Sequence, residues 1–103
     1  MISVCVATYN GERFIREQID SILRQLSSDD EIIVSDDGST DDTISIINSI
    51  DDKRIRIIEG PRKHSPTQNF ECAMKEAKGD YIFLADQDDV WKPNKVEVCM
   101  KWL

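Results

Sequence analysis

Apolar residues fall along this chain in two alternating rhythms. Ile2-Ser3-Val4-Cys5-Val6-Ala7, Glu31-Ile32-Ile33-Val34-Ser35 and Tyr81-Ile82-Phe83-Leu84-Ala85 are short apolar runs bounded by turn formers, the pattern of buried strands. Arg54-Ile55-Arg56-Ile57-Ile58-Glu59 alternates instead and predicts a strand with its arginines on a more open face. Between the runs the spacing lengthens to three and four. Phe14, Ile15, Ile19, Ile22, Leu23 and Leu26 predict an amphipathic helix over 12–26. Ile44, Ile47 and Ile50 predict a second helix, and Phe70, Ala73, Met74 and Ala77 a third. Val96, Cys99, Met100 and Leu103 give a fourth its inward face.

The punctuation agrees with this division. Ser39, Thr40 and Asp41 are good caps for the second helix, and Ser65-Pro66 supplies an N-cap with proline at the first helical position of the third. Gly79 is a natural stop, and Gly79-Asp80 opens the strand at Tyr81, which is expected to be buried on both faces. The order β-α-β-α-β-α-β-α predicts an α/β fold: a parallel sheet with right-handed crossovers and helices on both faces. The last helical pattern reaches Leu103 without a stop signal, as expected of a truncated fold that continues further.

Length and charge narrow the picture. At 103 residues the chain makes one domain. A formal charge of −7 argues against a general nucleic-acid binder, which needs a basic stripe for phosphates. Cys5, Cys72 and Cys99 are odd in number and form no CxxC, so zinc is not expected; buried or half-buried thiols in a reducing compartment are. No apolar run approaches 18 residues and no charged-then-apolar leader opens the chain, so the expected location is the cytoplasm, without a membrane span.

The candidate chemistry sits at the strand ends. In a parallel sheet every carboxyl end lies on one edge, so Thr8-Tyr9-Asn10, Asp36-Asp37 and Asp86-Gln87-Asp88-Asp89 should converge there, where open α/β sheets bind ligands. An aromatic ring, a carboxylate pair and a hard-oxygen cluster on one rim describe a nucleotide pocket. Tyr9 is placed to stack on a base, and Asp36 or Asp37 to accept a base N–H. Asp86 and Asp88 are placed to hold ribose hydroxyls and a divalent metal, Mn²⁺ or Mg²⁺, against a diphosphate. No strand leads into Gly-x-Gly-x-x-Gly, and there is no Gly-Lys-Ser/Thr loop. Asp41 and Asp42 read as charge favoured by a helix N-terminus, Trp91 as a packing anchor beside the site, and His64 as a solvated loop residue. Arg62-Lys63 suits either solvent or a phosphate. Two other classes remain open on residues alone. A nucleotidyltransferase would want a Gly-rich basic first loop, which Thr8–Glu12 lacks, and a receiver-type Mg²⁺ module a lone Asp ending the third strand, where Glu59-Gly60 stands.

Val4-Cys5-Val6-Ala7-Thr8-Tyr9-Asn10-Gly11, Glu31–Thr43 with its Val-Ser-Asp-Asp-Gly-Ser-Thr-Asp-Asp-Thr core, and Gly79–Pro93 together resemble family 2 glycosyltransferases of the GT-A (Rossmann-like) fold. The resemblance covers nearly the whole chain and is closest to enzymes that build bacterial surface polysaccharides, rhamnosyltransferase-like members included. It implies transfer of a sugar from a UDP-, dTDP- or GDP-sugar to a hydroxyl of a glycan or lipid-linked acceptor, with inversion and metal assistance. It also implies roles. Thr8 and Tyr9 match the first nucleotide-contacting turn, Asp37 the carboxylate that reads the base with Asp36 beside it, and Asn69, more loosely, a further polar contact. Asp86-Gln87-Asp88 matches the Asp-x-Asp signature, with Asp88 as metal ligand and Asp86 and Gln87 towards ribose and diphosphate. The chain departs from the family pattern at Ala7, where many members carry proline, and at 60–65, where the usual Asn-x-Gly is missing. No counterpart of the general base precedes Leu103, so donor binding without turnover is expected of this stretch.

Overall fold

The computed structural model describes residues 1–86 and 90–101, the Asp86 side chain excepted. Eight elements follow in the expected order: β1 (Ile2–Thr8), α1 (Ile15–Leu23), β2 (Glu31–Asp36), α2 (Thr43–Ile50), β3 (Ile55–Glu59), α3 (Pro66–Glu76), β4 (Tyr81–Asp86) and α4 (Lys95–Lys101). The strands form one parallel sheet in the order β3-β2-β1-β4. The chain winds outward from β1 to β3 and then returns past β1 to β4, so the direction of winding reverses between β1 and β4. Register places Thr8 opposite Asp36 and Ala7 opposite Asp86, which brings the three polar strand ends to one edge.

Both faces carry helices, as predicted. Val4 and Val6 of β1 and Ile32 and Val34 of β2 pack on Ile15, Ile19 and Ile22 of α1, on Ile47 of α2, and on Trp91 and Val96 around the start of α4. The opposite face is thinner: Cys5 and Ile33 meet Ala73 of α3, with Phe70 and Ala77 partly covering them. Burial in this apolar face pushes the Cys5 thiol up to about 11, with the Glu31 charge adding to the effect, so Cys5 is an inert packing group.

One expectation about the sheet is overturned. β4 is not buried on both faces: Tyr81, Ile82 and Leu84 are 42%, 46% and 49% exposed. Ile82 and Leu84 lie in register with Ser3 and Cys5, on the face where α3 packs over β1 and β2, and β4 pairs with β1 alone. An unbroken apolar run records what a strand is suited to, and coverage depends on where its neighbours sit.

Smaller corrections have local causes. Helix α1 begins at Ile15, and Phe14, in the N-cap position, is exposed. Met74 is exposed because α3 is a single helix over two strands, and Cys99 because only Val96 of α4 is buried. Gly79 does not stop α3, which ends at Glu76. A Cβ at Gly79 would stand 2.6 Å from Ser3 Oγ and 2.7 Å from Ser3 N, so glycine there permits the chain to cross the start of β1. Ser65 caps α3 as expected, accepting from Gln68 N at 3.3 Å with Pro66 in the first turn.

The two arginines expected on one face part company. Arg56 reaches Glu76 O of α3 at 2.9 Å, whereas Arg54 lies in the turn before β3 and donates from Nη1 to Leu23 O and Leu26 O at 3.2 and 3.0 Å. Arg54 thereby ties the turn before β3 to the end of α1 and the turn after it, and Asp52 holds it there with bonds of 2.8 and 3.0 Å. The hydrogen bonds from Arg54 hold the Asp52 carboxyl at about 2, below its ordinary 3.8. A depressed carboxyl contributes stability that is full above its unfolded value and is lost as pH falls through the folded one. Urea midpoints should therefore drop between pH 4 and pH 2. Asp52→Asn should flatten that drop while lowering stability at pH 7 by about 1 kcal/mol.

Candidate functional site: the carboxyl edge of the sheet

The edge is built by three loops that fasten one another. The loop after β1 enters Asn10 with φ 50°, a left-handed conformation that asparagine tolerates. Asn10 N donates to Ser39 Oγ at 2.9 Å, and Asn10 Oδ1 accepts from Thr40 N at 2.8 Å. Gly11 N donates to Thr43 Oγ1 at 2.9 Å and Glu12 N to Asp41 Oδ2 at 3.2 Å, while Glu12 Oε2 accepts from Asp42 N. Asp41 thus serves the helix start and the neighbouring loop together. Although partial desolvation works the other way, its bonds from Thr43 and Glu12 hold its carboxyl below the ordinary range.

The adjacent carboxylates Asp36 and Asp37 have different work. Asp36 folds back on its own loop, accepting from Ser39 Oγ at 2.5 Å, Ser39 N at 2.9 Å and Gly38 N at 3.2 Å. This is an Asx-type turn, and it gives Asp36 a loop-building role. Asp37 is nearly buried, at 4% exposed, and faces the loop after β3. Its Oδ1 accepts from Arg62 N, and its Oδ2 accepts from His64 N at 2.9 Å. Arg62 and His64 both adopt positive φ, 58° and 54°. Such conformations cost side-chain-bearing residues about 1 kcal/mol each, and two charge-assisted bonds to one carboxylate offset that cost.

Around this carboxylate stand the other predicted residues. Thr8 is buried at the end of β1; its carbonyl accepts from Asp37 N at 3.0 Å and from Asn69 Nδ2 at 3.4 Å. Thr8 Oγ1 is buried with no partner among the described residues, an unmet group of the kind that binding sites hold. Asn69, on the first turn of α3, is buried against β2 and accepts from Ser35 Oγ at 2.5 Å. Gly60 lets the loop pass: its N donates to Asp36 O at 2.7 Å, and a Cβ there would collide with Asn69 Oδ1. Tyr9 is 38% exposed at the rim, with the His64 ring set edgewise to it at 5.0 Å between centroids and 82° between planes.

Gln87, Asp88 and Asp89 lie outside the described residues, as does the side chain of Asp86. Among the described residues no group of three metal-binding side chains occurs. The segment that follows is firmly docked. Trp91 N donates to Ser21 Oγ of α1 at 2.9 Å, and Gln25, in the turn after α1, accepts from Val96 N at 2.8 Å and donates to Lys92 O at 2.6 Å. Trp91 is the packing anchor expected of it, 4% exposed, with the Phe83 ring at 5.8 Å and Lys95 Nζ 4.6 Å from its ring centroid.

This arrangement of strand ends is matched by known proteins. The profile of Glycosyl transferase family 2 matches residues 3–103. The chain belongs to glycosyltransferase family 2. A UDP-Glc:alpha-D-GlcNAc-diphosphoundecaprenol beta-1,3-glucosyltransferase of Escherichia coli is 41% identical over 96 residues, 93% of this chain and 38% of the relative. A chondroitin synthase of Pasteurella multocida is 35% identical over 98% of the chain and 11% of its own length. Among solved structures, Staphylococcus aureus TarS in complex with UDP superposes with a TM-score of 0.88 at 28% identity, over 98% of this chain and 31% of that one. A Pyrobaculum calidifontis mannosyltransferase in complex with GDP-Man and Mn²⁺ gives the same score at 27% identity, over 99% and 32%. The chain therefore spans about a third of the length of these structures.

The family 2 fold also disposes of the receiver reading, whose sheet would run 2-1-3-4 where this one runs 3-2-1-4. Sequence reasoning placed His64 in solvent and left Arg62 undecided. His64 is exposed, yet its ring lies on Tyr9 and its amide on Asp37. The only signal was position, a polar loop leaving β3 on the same edge. If Asp37 organises that loop, Asp37→Asn, which sets an amide donor against one of the two N–H groups, should release it. The amides of Arg62 and His64 should then lose hydrogen-exchange protection, with about 1–3 kcal/mol of global stability lost.

Proposed function

We propose that this chain is the nucleotide-sugar-binding portion of an inverting glycosyltransferase that works in polysaccharide or glycan biosynthesis. The observation that carries this reading is the convergence of Thr8, Tyr9, Asp37 and the Asp86 strand end on one sheet edge, in a chain matched by family 2 throughout. The base of a UDP-, dTDP- or GDP-sugar lies towards Tyr9 and Asp37, with Thr8 and Asn69 lining the inner wall and Asp36 building the loop beneath. TarS with UDP and the mannosyltransferase with GDP-Man support a nucleoside diphosphate as the recognised group.

Asp86, Gln87 and Asp88 are proposed for the ribose–diphosphate end. Asp86 and Asp88 offer the hard oxygens that suit Mn²⁺ or Mg²⁺, Asp88 being the favoured ligand. A bound cation there would stabilise the departing diphosphate as a Lewis acid. The chain's own residues are proposed to orient the donor: β4 sets Asp86 in register with Ala7, and Ser21 and Gln25 hold the backbone at Trp91 and Val96. Attack by a glycan or lipid-linked hydroxyl needs a base. None of the residues at this edge is assigned that role, so the chain alone is proposed to bind donor without transferring sugar. No helix among the described residues is long and apolar enough to cross a membrane. A place in the cytoplasm, peripheral to the inner face of the membrane, is proposed from the lipid-linked acceptor in the name of the E. coli relative.

Calorimetry with UDP, dTDP and GDP, each with and without Mn²⁺, tests the reading, with an NMR spectrum confirming the fold. One nucleotide should bind, more tightly with metal, and Asp88→Ala should abolish the metal dependence. Binding of none by the folded chain, or binding indifferent to both metal and Asp88, would sink it.

A further inference from the structure

The loop 60–65 lacks the sequence pattern expected of a nucleotide-contacting loop, yet the fold delivers it to Tyr9. We infer that His64 is a base-recognition residue, forming with Tyr9 a two-walled corner for the heterocycle of the bound nucleotide; this rests on the nucleotide-binding reading above. Four observations meet in this residue. Its ring stands at 82° to Tyr9 with 5.0 Å between centroids, so a planar base stacked on either ring presents its edge or face to the other. Its amide is bonded at 2.9 Å to the carboxylate proposed to read the base, so the ring's position is tied to Asp37. Its φ of 54° turns the side chain out of the course that an extended loop would give it, and the exposed residue keeps its ring open to a ligand. Imidazole also carries one donor and one acceptor when neutral, matching the N–H and carbonyl edges that distinguish bases.

The left-handed backbone gives a clean test. Glycine adopts positive φ without strain, so His64→Gly removes the ring and leaves the loop its geometry. Asparagine tolerates the same φ and restores a donor and an acceptor without the aromatic face. Dissociation constants of the 103-residue chain for UDP, UMP and inorganic pyrophosphate, measured with Mg²⁺, separate the base end from the phosphate end. His64→Gly should weaken UDP and UMP by about tenfold each and leave pyrophosphate unchanged, the size expected when one aromatic contact to a base is lost. His64→Asn should recover part of that loss. Protection of the Arg62 amide in the glycine variant shows that the loop still sits on Asp37; if it is lost, the asparagine variant is judged by the same comparison. UDP affinity within twofold of wild type, or an equal loss for pyrophosphate, overturns the assignment of His64 while leaving the nucleotide site standing. A wild-type chain that binds no nucleotide overturns both.

Discussion

A carboxylate withdrawn from water must be supplied with hydrogen bonds, and much of this site follows from how Asp37 meets that demand. Its two oxygens take the amides of Arg62 and His64, and its own amide donates to Thr8 O. One residue therefore ties the loop after β3, through its side chain, to the end of β1, through its backbone. The tie is strong because the acceptor is charged and sheltered, where competing water is scarce. Two residues in strained left-handed conformations persist on its account. Tyr9 and His64 are held against each other as a consequence, so an exposed ring pair at the rim depends on a buried carboxylate.

The other end of the edge rests on α1. This helix buries Ile15, Ile19 and Ile22 against the sheet, and its Ser21, with Gln25 of the following turn, holds the backbone of 91–96. Backbone pairing of β4 with β1 holds Asp86, and the bond from Trp91 N to Ser21 of α1 holds Trp91. The opposite face of β4 shows the converse. Ile82 and Leu84 are strand-forming and apolar but uncovered, in a chain that spans about a third of the structures it resembles.

Secondary structure was legible because it is a local property. Eight elements appear in the predicted order, and Ser65-Pro66 starts α3 where the capping rule places it. The convergence of Thr8, Asp36 and Asp86 was legible too, since a parallel sheet puts all carboxyl ends on one edge whatever the strand order. Strand order itself was not. That α3 packs over β1 and β2 decides the exposure of Leu84, and a run of apolar residues reads the same whichever strands a helix covers.

The amino-acid sequence by itself determined the α/β class, the helix and strand positions, and which residue types arrive at the carboxyl edge of the sheet. Periodicity and turn chemistry are written within a few residues of each element. The tertiary structure alone decided how neighbouring acids divide their labour: Asp36 turns back on Ser39, Asp37 reaches across to Arg62 and His64, and Asp41 serves the start of α2 and the loop at Glu12. It also decided that His64, unremarkable in a polar loop, stands beside Tyr9. Apart from the local turn at Asp36, these choices join residues tens of positions apart. They are settled by which groups burial deprives of water, a property of the packed chain and not of any stretch within it.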